Sequence, residues 1–249
     1  MAAHPTRIAV LGLGEAGARI AADLAAAGVD VRGYDPVVAP GDPAAAVADA
    51  TAVLSLTTAA AARDAAVAAL PELPSGALYA DLNAAAPALK RELAALVPSF
   101  VDVALLGAVP VRGLATPALA SGPAAERFAA LFEPLGMPVD VVSDRAGDAS
   151  ALKLLRSVFM KGIAAAAMES VEGAEAAGHV EWVKREIAAV IGEPFLDRLL
   201  EGSRTHAARR TDEMEAARDL LYKLGVEARI ATATAALLAD LAAGAAHDA

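Results

Sequence analysis

The stretch Arg7-Ile8-Ala9-Val10-Leu11-Gly12-Leu13-Gly14-Glu15-Ala16-Gly17 decides how this chain is read. Its apolar, β-branched opening predicts a strand over Arg7 to Leu11, and the alanine-rich segment with charges at helical spacing predicts a helix over 15–27. Each glycine between them has its own task. Gly12 permits a tight turn, Gly14 lets a ligand approach the backbone with no Cβ in the way, and Gly17 lets the helix pack closely on the strand. A helix starting there presents unpaired N–H groups and the positive end of its macrodipole, which suit a pyrophosphate.

Working outward, a second strand is expected over Val29 to Tyr34, ending in Asp35. That acid lies about twenty residues beyond the glycines, where a dinucleotide fold places the carboxylate that grips the adenosine ribose. Gly12, Leu13, Gly14, Glu15, Ala16, Gly17 and Asp35 are therefore the expected coenzyme-binding residues. A 2′-phosphate roughly 4 Å from Asp35 would be repelled by about 1–4 kcal/mol, depending on local dielectric. The following Pro36-Val37-Val38-Ala39 supplies no cation to offset this, although Arg32 stands nearby. NAD is favoured over NADP.

Further along, short apolar runs keep alternating with helical segments up to about residue 145. Strands are expected at Ala52 to Leu56, Ala77 to Asp81, Phe100 to Ala104, Ala118 to Ser121 and Val139 to Val142, and helices near 59–69, 85–97 and 123–133. Turn signals lie at Gly28, Pro36 to Pro43, Pro71 to Gly76 and Gly136 to Pro138. After Asp144 the β-like runs cease. Helix is expected nearly throughout, including one long helix over Ala149 to Ala177, with stops near Gly178, Gly192, Gly202 and Gly225. The expected architecture is α/β: an N-terminal Rossmann-type, doubly wound, mostly parallel sheet over 1–145, then an all-α domain over 146–249.

Composition narrows the partners. The formal net charge is −10 and aromatics make up 4% of the chain, so neither an electrostatic nor a stacking surface for nucleic acid is expected. There is no cysteine, and His4, His179, His206 and His247 lack metal-ligand spacing. No apolar run reaches membrane-spanning length, and the chain enters its first strand with no room for a secretion signal; a cytoplasmic protein is expected. An alanine-rich helical domain has little core of its own, so a homodimer through it is expected.

The whole chain resembles the β-hydroxyacid dehydrogenase superfamily of 3-hydroxyisobutyrate and 6-phosphogluconate dehydrogenases, and more narrowly a phosphogluconate-dehydrogenase-like subgroup, which implies that the helical domain over 146–249 serves substrate binding and dimerisation. Ile8 to Gly17 carries the first part of the likeness. Asp81-Leu82-Asn83-Ala84-Ala85-Ala86-Pro87 matches the family's Asp-x-Ser-Thr-x-x-Pro turn beside the nicotinamide half of the coenzyme, which implies that Asn83, with Thr57, belongs to the coenzyme site. Gly147-Asp148-Ala149-Ser150-Ala151-Leu152-Lys153-Leu154-Leu155-Arg156-Ser157 matches the approach to the family's catalytic lysine, implying that Lys153 is the general acid/base, with Ser157 replacing the family's asparagine. A free lysine is a poor base at neutral pH; burial and a neighbouring nicotinamide cation would both disfavour its ammonium form. Lys153, Ser157 and Lys161 follow one another at i, i+4 and i+8 and share a helix face.

One departure bears on substrate. Asp102-Val103-Ala104-Leu105-Leu106-Gly107-Ala108 stands where the family has Asp-Ala-Pro-Val-Ser-Gly-Gly, and Leu106 cannot donate the serine's hydrogen bond. Leu106 and Gly107 are kept as substrate-side candidates, and His206 and Arg210, in His206-Ala207-Ala208-Arg209-Arg210-Thr211-Asp212-Glu213-Met214, as a second anion grip, against the plainer reading of a solvated helix face. The leading expectation is hydride transfer between a nicotinamide coenzyme and a small hydroxy or oxo compound of hydroxy-acid or sugar-acid type. The alternatives are imine reduction and a non-catalytic NAD-binding sensor or assembly protein.

Overall fold

The computed structural model describes residues 6–247, and His4 lies outside them. The chain divides into two compact units, Met1–Lys153 and Leu154–Ala249. The first is built on a seven-stranded sheet in the order β2-β1-β3-β4-β5-β6-β7. Its strands are β1 (Arg7–Leu11), β2 (Asp30–Tyr34), β3 (Ala52–Ser55), β4 (Leu78–Asp81), β5 (Phe100–Leu105), β6 (Ala118–Ser121) and β7 (Val139–Ser143). The helices between them are α1 (Glu15–Ala26), α2 (Pro43–Val47), α3 (Ala62–Ala69), α4 (Pro87–Leu96), α5 (Val109–Arg112) and α6 (Ala125–Phe132).

Strands β1 to β5 pair in parallel, and β6 runs antiparallel to β5. Both faces are buried, as a parallel sheet between helix layers requires. The pleat sorts β1 residue by residue: Ile8 and Val10 enter one core with Leu54, Val101 and Val103, while Ala9 and Leu11 enter the other with Val53, Tyr79 and Phe100. The sequence treats Pro36 to Pro43 as a turn, but a short helix begins at Pro43. The Asp42 carboxylate caps it, accepting from the Ala44 N–H at 2.9 Å, and the proline occupies a position where its missing N–H costs nothing.

The second unit is helical: most of α7 (Asp148–Ala177), then α8 (Val180–Ile191), α9 (Glu193–Thr205), α10 (Ala207–Lys223) and α11 (Arg229–His247). The breaks at Gly178, Gly192 and Gly225 fall where expected. Gly202 is different, lying inside α9, which continues to Thr205. The residue is small there because the Arg210 guanidinium lies over it; a Cβ would come within 2.7 Å of Nη2. One core gathers Leu154, Met214, Ala217, Ala231 and Leu238, and another Met168, Leu196 and Leu200. Among the described residues, no helix is long and apolar enough to cross a membrane.

The division between units falls within α7 rather than ahead of it at residue 145. The reason is local: the first turns of α7 are bonded to sheet side chains. Asp102 of β5 accepts the N–H of Gly147 at 3.1 Å and of Ser150 at 3.0 Å, and Ser121 of β6 accepts that of Ala149 at 3.0 Å.

Candidate active site

Strand order reverses between β1 and β3, because β2 lies on one side of β1 and the later strands on the other. In open α/β sheets such a reversal opens a crevice at the carboxyl ends of the strands. The glycine loop sits there. Gly12 has φ +94°, and a Cβ on it would collide with the carbonyl oxygen of Leu56; one on Gly17 would collide with the carbonyl of Gly12. Gly14 has nothing within 4 Å of where its Cβ would stand, and as N-cap of α1 it makes no side-chain bond to the first-turn N–H groups. Two glycines are thus closed by protein, and the third is open to a ligand. Glu15 and Ala16 begin the helix, leaving their backbone N–H groups at its positive end.

Asp35 joins this loop to the end of β2. Its carboxylate accepts from Leu13 N–H at 2.9 Å, Val37 N–H at 2.9 Å and Val38 N–H at 3.2 Å. These N–H groups, Val37 first and Leu13 next, hold the Asp35 carboxyl below its ordinary value. Arg32 turns toward Asp30, with Nε 3.8 Å from Oδ1.

At the carboxyl ends of β3 and β4, Asn83 is buried. Its amide nitrogen faces Asp81 Oδ2 at 2.7 Å, Ser55 Oγ at 3.2 Å and Thr57 Oγ1 at 3.3 Å. Those acceptors fix which end of the amide is nitrogen, and they leave Oδ1 buried with no hydrogen-bond partner. A buried orphan acceptor is rare in native proteins. Open Gly14, the uncapped first turn of α1, Asp35 and the Asn83 oxygen fit a dinucleotide laid across the strand ends, with hydroxyl or carboxamide donors at its far half.

Beneath Asn83 lies a charged cluster that sequence reasoning missed. Asp81 and Asp102 are register partners on β4 and β5. Two carboxylates directly opposite one another repel. Lys90, from α4, comes between them, pairing with Asp81 Oδ1, donating to the Asp81 carbonyl oxygen at 2.8 Å and lying 3.3 Å from Asp102 Oδ1. All three side chains are 0% exposed. Asp102 also accepts from the hydroxyls of Ser150 at 2.7 Å and Ser121 at 3.2 Å. The signal was present in the sequence: Lys90 stands between Pro87 and Leu93 on the buried face of α4, and Asp102 interrupts an apolar strand.

Lys153 is half-buried on α7, one turn beyond Ser150. One turn further, Ser157 is 3% exposed. Its hydroxyl donates to Glu213 Oε1 at 2.6 Å and accepts from Lys161 Nζ at 3.2 Å, and Lys161 pairs with Glu213 Oε2 at 3.1 Å. The expected polar face of α7 is thus closed by a carboxylate from α10. Burial depresses the Lys161 pKa, and Glu213 opposes that shift. The neighbouring candidates are arranged differently: Arg210 donates to Ser203 Oγ at 2.8 Å, and His206 is exposed at the junction of α9 and α10. Leu106 is half-buried, its N–H bonded to the Pro117 carbonyl at 2.8 Å, and Gly107 is exposed.

Residues 174–241 match the model of a domain of unknown function, DUF1932. Over 142 residues the chain is 28% identical to an uncharacterized 28.5 kDa protein of Methanothermus fervidus, and the match spans about half of that protein, 55% of its length. A conserved hypothetical protein from Sinorhizobium meliloti is similar in structure, with 29% identity, a TM-score of 0.76, and coverage of 95% of this chain and 88% of that one. The 3-hydroxyisobutyrate dehydrogenase of Mycobacterium tuberculosis has the same fold, with a TM-score of 0.81 at 24% identity over 96% of this chain and 94% of its own. At 18% identity and a TM-score of 0.60, a Streptomyces aurantiacus imine reductase shares it over 97% of this chain and 95% of its own.

Proposed function

We propose that the chain is a member of the β-hydroxyacid dehydrogenase superfamily, an NAD(P)-dependent oxidoreductase moving hydride between a nicotinamide coenzyme and a small hydroxy or oxo compound, with Lys153 as general acid/base; the fold shared with such dehydrogenases supports it. The observation that carries this reading is the crevice at the strand reversal, where Gly12 and Gly17 are sealed by backbone while Gly14 stands open beside Asp35. When bound, the coenzyme supplies or accepts the hydride. The protein's own residues do the rest. First-turn N–H groups of α1 receive the pyrophosphate, Asp35 accepts ribose hydroxyls through its remaining lone pairs, and Asn83 Oδ1 accepts a donor at the nicotinamide half.

Lys153 Nζ takes the hydroxyl proton of the substrate in oxidation and returns it to the oxo oxygen in reduction. Ser157, held by Glu213 and Lys161, presents a fixed oxygen on the same helix face. Leu106 offers no side-chain donor, so the substrate is gripped differently from one anchored by a serine at that place. The same absence favours imine reduction as the second reading, in which the proton goes to nitrogen; the fold shared with imine reductases is compatible with it.

The test is a panel of hydroxy acids, sugar acids and cyclic imines, followed by absorbance at the nicotinamide band, with wild type beside Lys153→Met. The variant is expected to keep its NADH affinity and to lose about 10²–10⁴-fold in turnover. Unchanged turnover would remove Lys153 from the chemistry, and a wild type that binds NADH but turns over nothing would favour a sensor.

Coenzyme preference gives a second test. Asp35 faces a 2′-phosphate with a charge that its N–H partners retain well into acid, since its pKa is lowered in the folded chain. NADH is therefore expected to bind about tenfold or more tightly than NADPH, with the ratio steady from pH 9 to pH 7 and falling only as the 2′-phosphate takes up its second proton, at about pH 6. Asp35→Ser is expected to erase it. A preference that changes between pH 9 and pH 7, where both the carboxylate and the 2′-phosphate keep their charge, measured by fluorescence titration, would assign the discrimination to another group.

A further inference from the structure

We infer that Lys90 is a positioning residue for the reaction: its buried ammonium group fixes the turn carrying Asn83 relative to the first turn of the helix carrying Lys153. The inference rests on the oxidoreductase reading above. Lys90 touches neither the crevice nor solvent. What it touches is the pair of carboxylates from which both working groups are hung. Through Asp81, whose Oδ2 accepts from Asn83 Nδ2 at 2.7 Å, it holds the amide so that Oδ1 stays unpaired. Through Asp102, which accepts the Gly147 and Ser150 N–H groups and the Ser150 hydroxyl, it holds the start of α7 three residues before Lys153.

A core of this kind could be filled with apolar side chains at equal or greater stability, because desolvating three charges is costly. What an apolar filling lacks is direction. Here one ammonium group must satisfy two carboxylates on adjacent strands, while donors on Asn83, Ser121, Ser150 and Gly147 take up their other lone pairs. Displacing either carboxylate breaks several bonds at once, so the asparagine turn and the helix start are held at one separation. Hydride and proton transfer need such preorganisation, since small misplacements cost large factors in rate.

The experiment uses the full-length protein and NADH, read by nicotinamide fluorescence and by amide hydrogen exchange at Gly147 and Ser150. In wild type, saturating NADH is expected to slow exchange at both amides about fivefold or more. The neutral pair Lys90→Met with Asp81→Asn removes the bridge without stranding a cation. It is expected to bind NADH about tenfold more weakly and to exchange those two amides about tenfold faster, with a Tm near that of wild type. Wild-type exchange indifferent to NADH would overturn the inference, whether or not the variant folds. So would wild-type affinity in the neutral pair while Lys90→Met alone lowers the Tm, because Lys90 would then serve the fold only. If wild type binds neither NADH nor NADPH, it is the oxidoreductase reading that fails.

Discussion

Two lysines, Lys90 on α4 and Lys161 on α7, are each set against carboxylates from a different element, and they do different work. Lys90 is sealed in the sheet unit between two aspartates that would otherwise repel. Lys161 lies in the helical unit at 15% side-chain exposure, against a single glutamate at 17% and a serine hydroxyl. The contrast teaches that burial and the number of counter-charges, rather than the residue pair itself, decide what an ion pair is for. The first is obligatory because no water can replace either partner. The second is adjustable, since water reaches its edge and burial lowers the lysine's pKa against the pull of Glu213.

The hardest way to break the comparison is to remove the buried cation. Lys90→Met leaves two facing carboxylates in the core and is expected to cost about 3–5 kcal/mol in urea unfolding at pH 7. A loss below about 1 kcal/mol would mean that the two sites are alike after all.

A smaller effect is expected from Glu213→Gln, which withdraws a charged hydrogen-bond partner from both Ser157 and Lys161; about 1.5–3 kcal/mol is expected at neutral pH. Its pH dependence sharpens the contrast. The folded-state pKa of Lys161 is lowered, so between that value and 10.5 the unfolded chain binds more protons than the folded one, and stability from this group rises with pH. Removing Glu213 lowers the folded value further. The variant therefore sheds its stranded charge first, and the gap between variant and wild type should narrow as unfolding is followed from pH 7 to pH 10. A gap that widens with alkali would assign the cost elsewhere.

The smallest effect is expected at Gly202→Ala. The added Cβ meets the far end of a flexible arginine, while alanine gains helix propensity, so a net change within about 1 kcal/mol of zero is expected in thermal unfolding.

The same contrast explains what could be read from the sequence. The glycine loop, Asp35 and the alternating strands were legible because turn chemistry and periodicity are local, and the strands fall within a residue or two of their expected ends. The lysine stripe on α7 was legible as spacing, but its partner Glu213 was not, because contact across 56 residues leaves no local mark. Lys90 sits in Leu89-Lys90-Arg91-Glu92, which looks like a solvated helix face. Only its phase with Pro87 and Leu93 places it inward, and only an inward aspartate on each of two strands explains how it can stay there. Asn83 was found through the turn it occupies, whereas its orphan oxygen depends on three neighbours drawn from two strand ends.

Pairing Asp81 with Asp102 across neighbouring strands also gives assembly a checkpoint. If β5 slid by one residue against β4 during folding, one aspartate would swing to the opposite face of the sheet and the ammonium would be entombed with half its neutralising charge. An off-register pairing of these two strands is therefore penalised, and the ion cluster beneath Asn83 also fixes the register of the sheet around it.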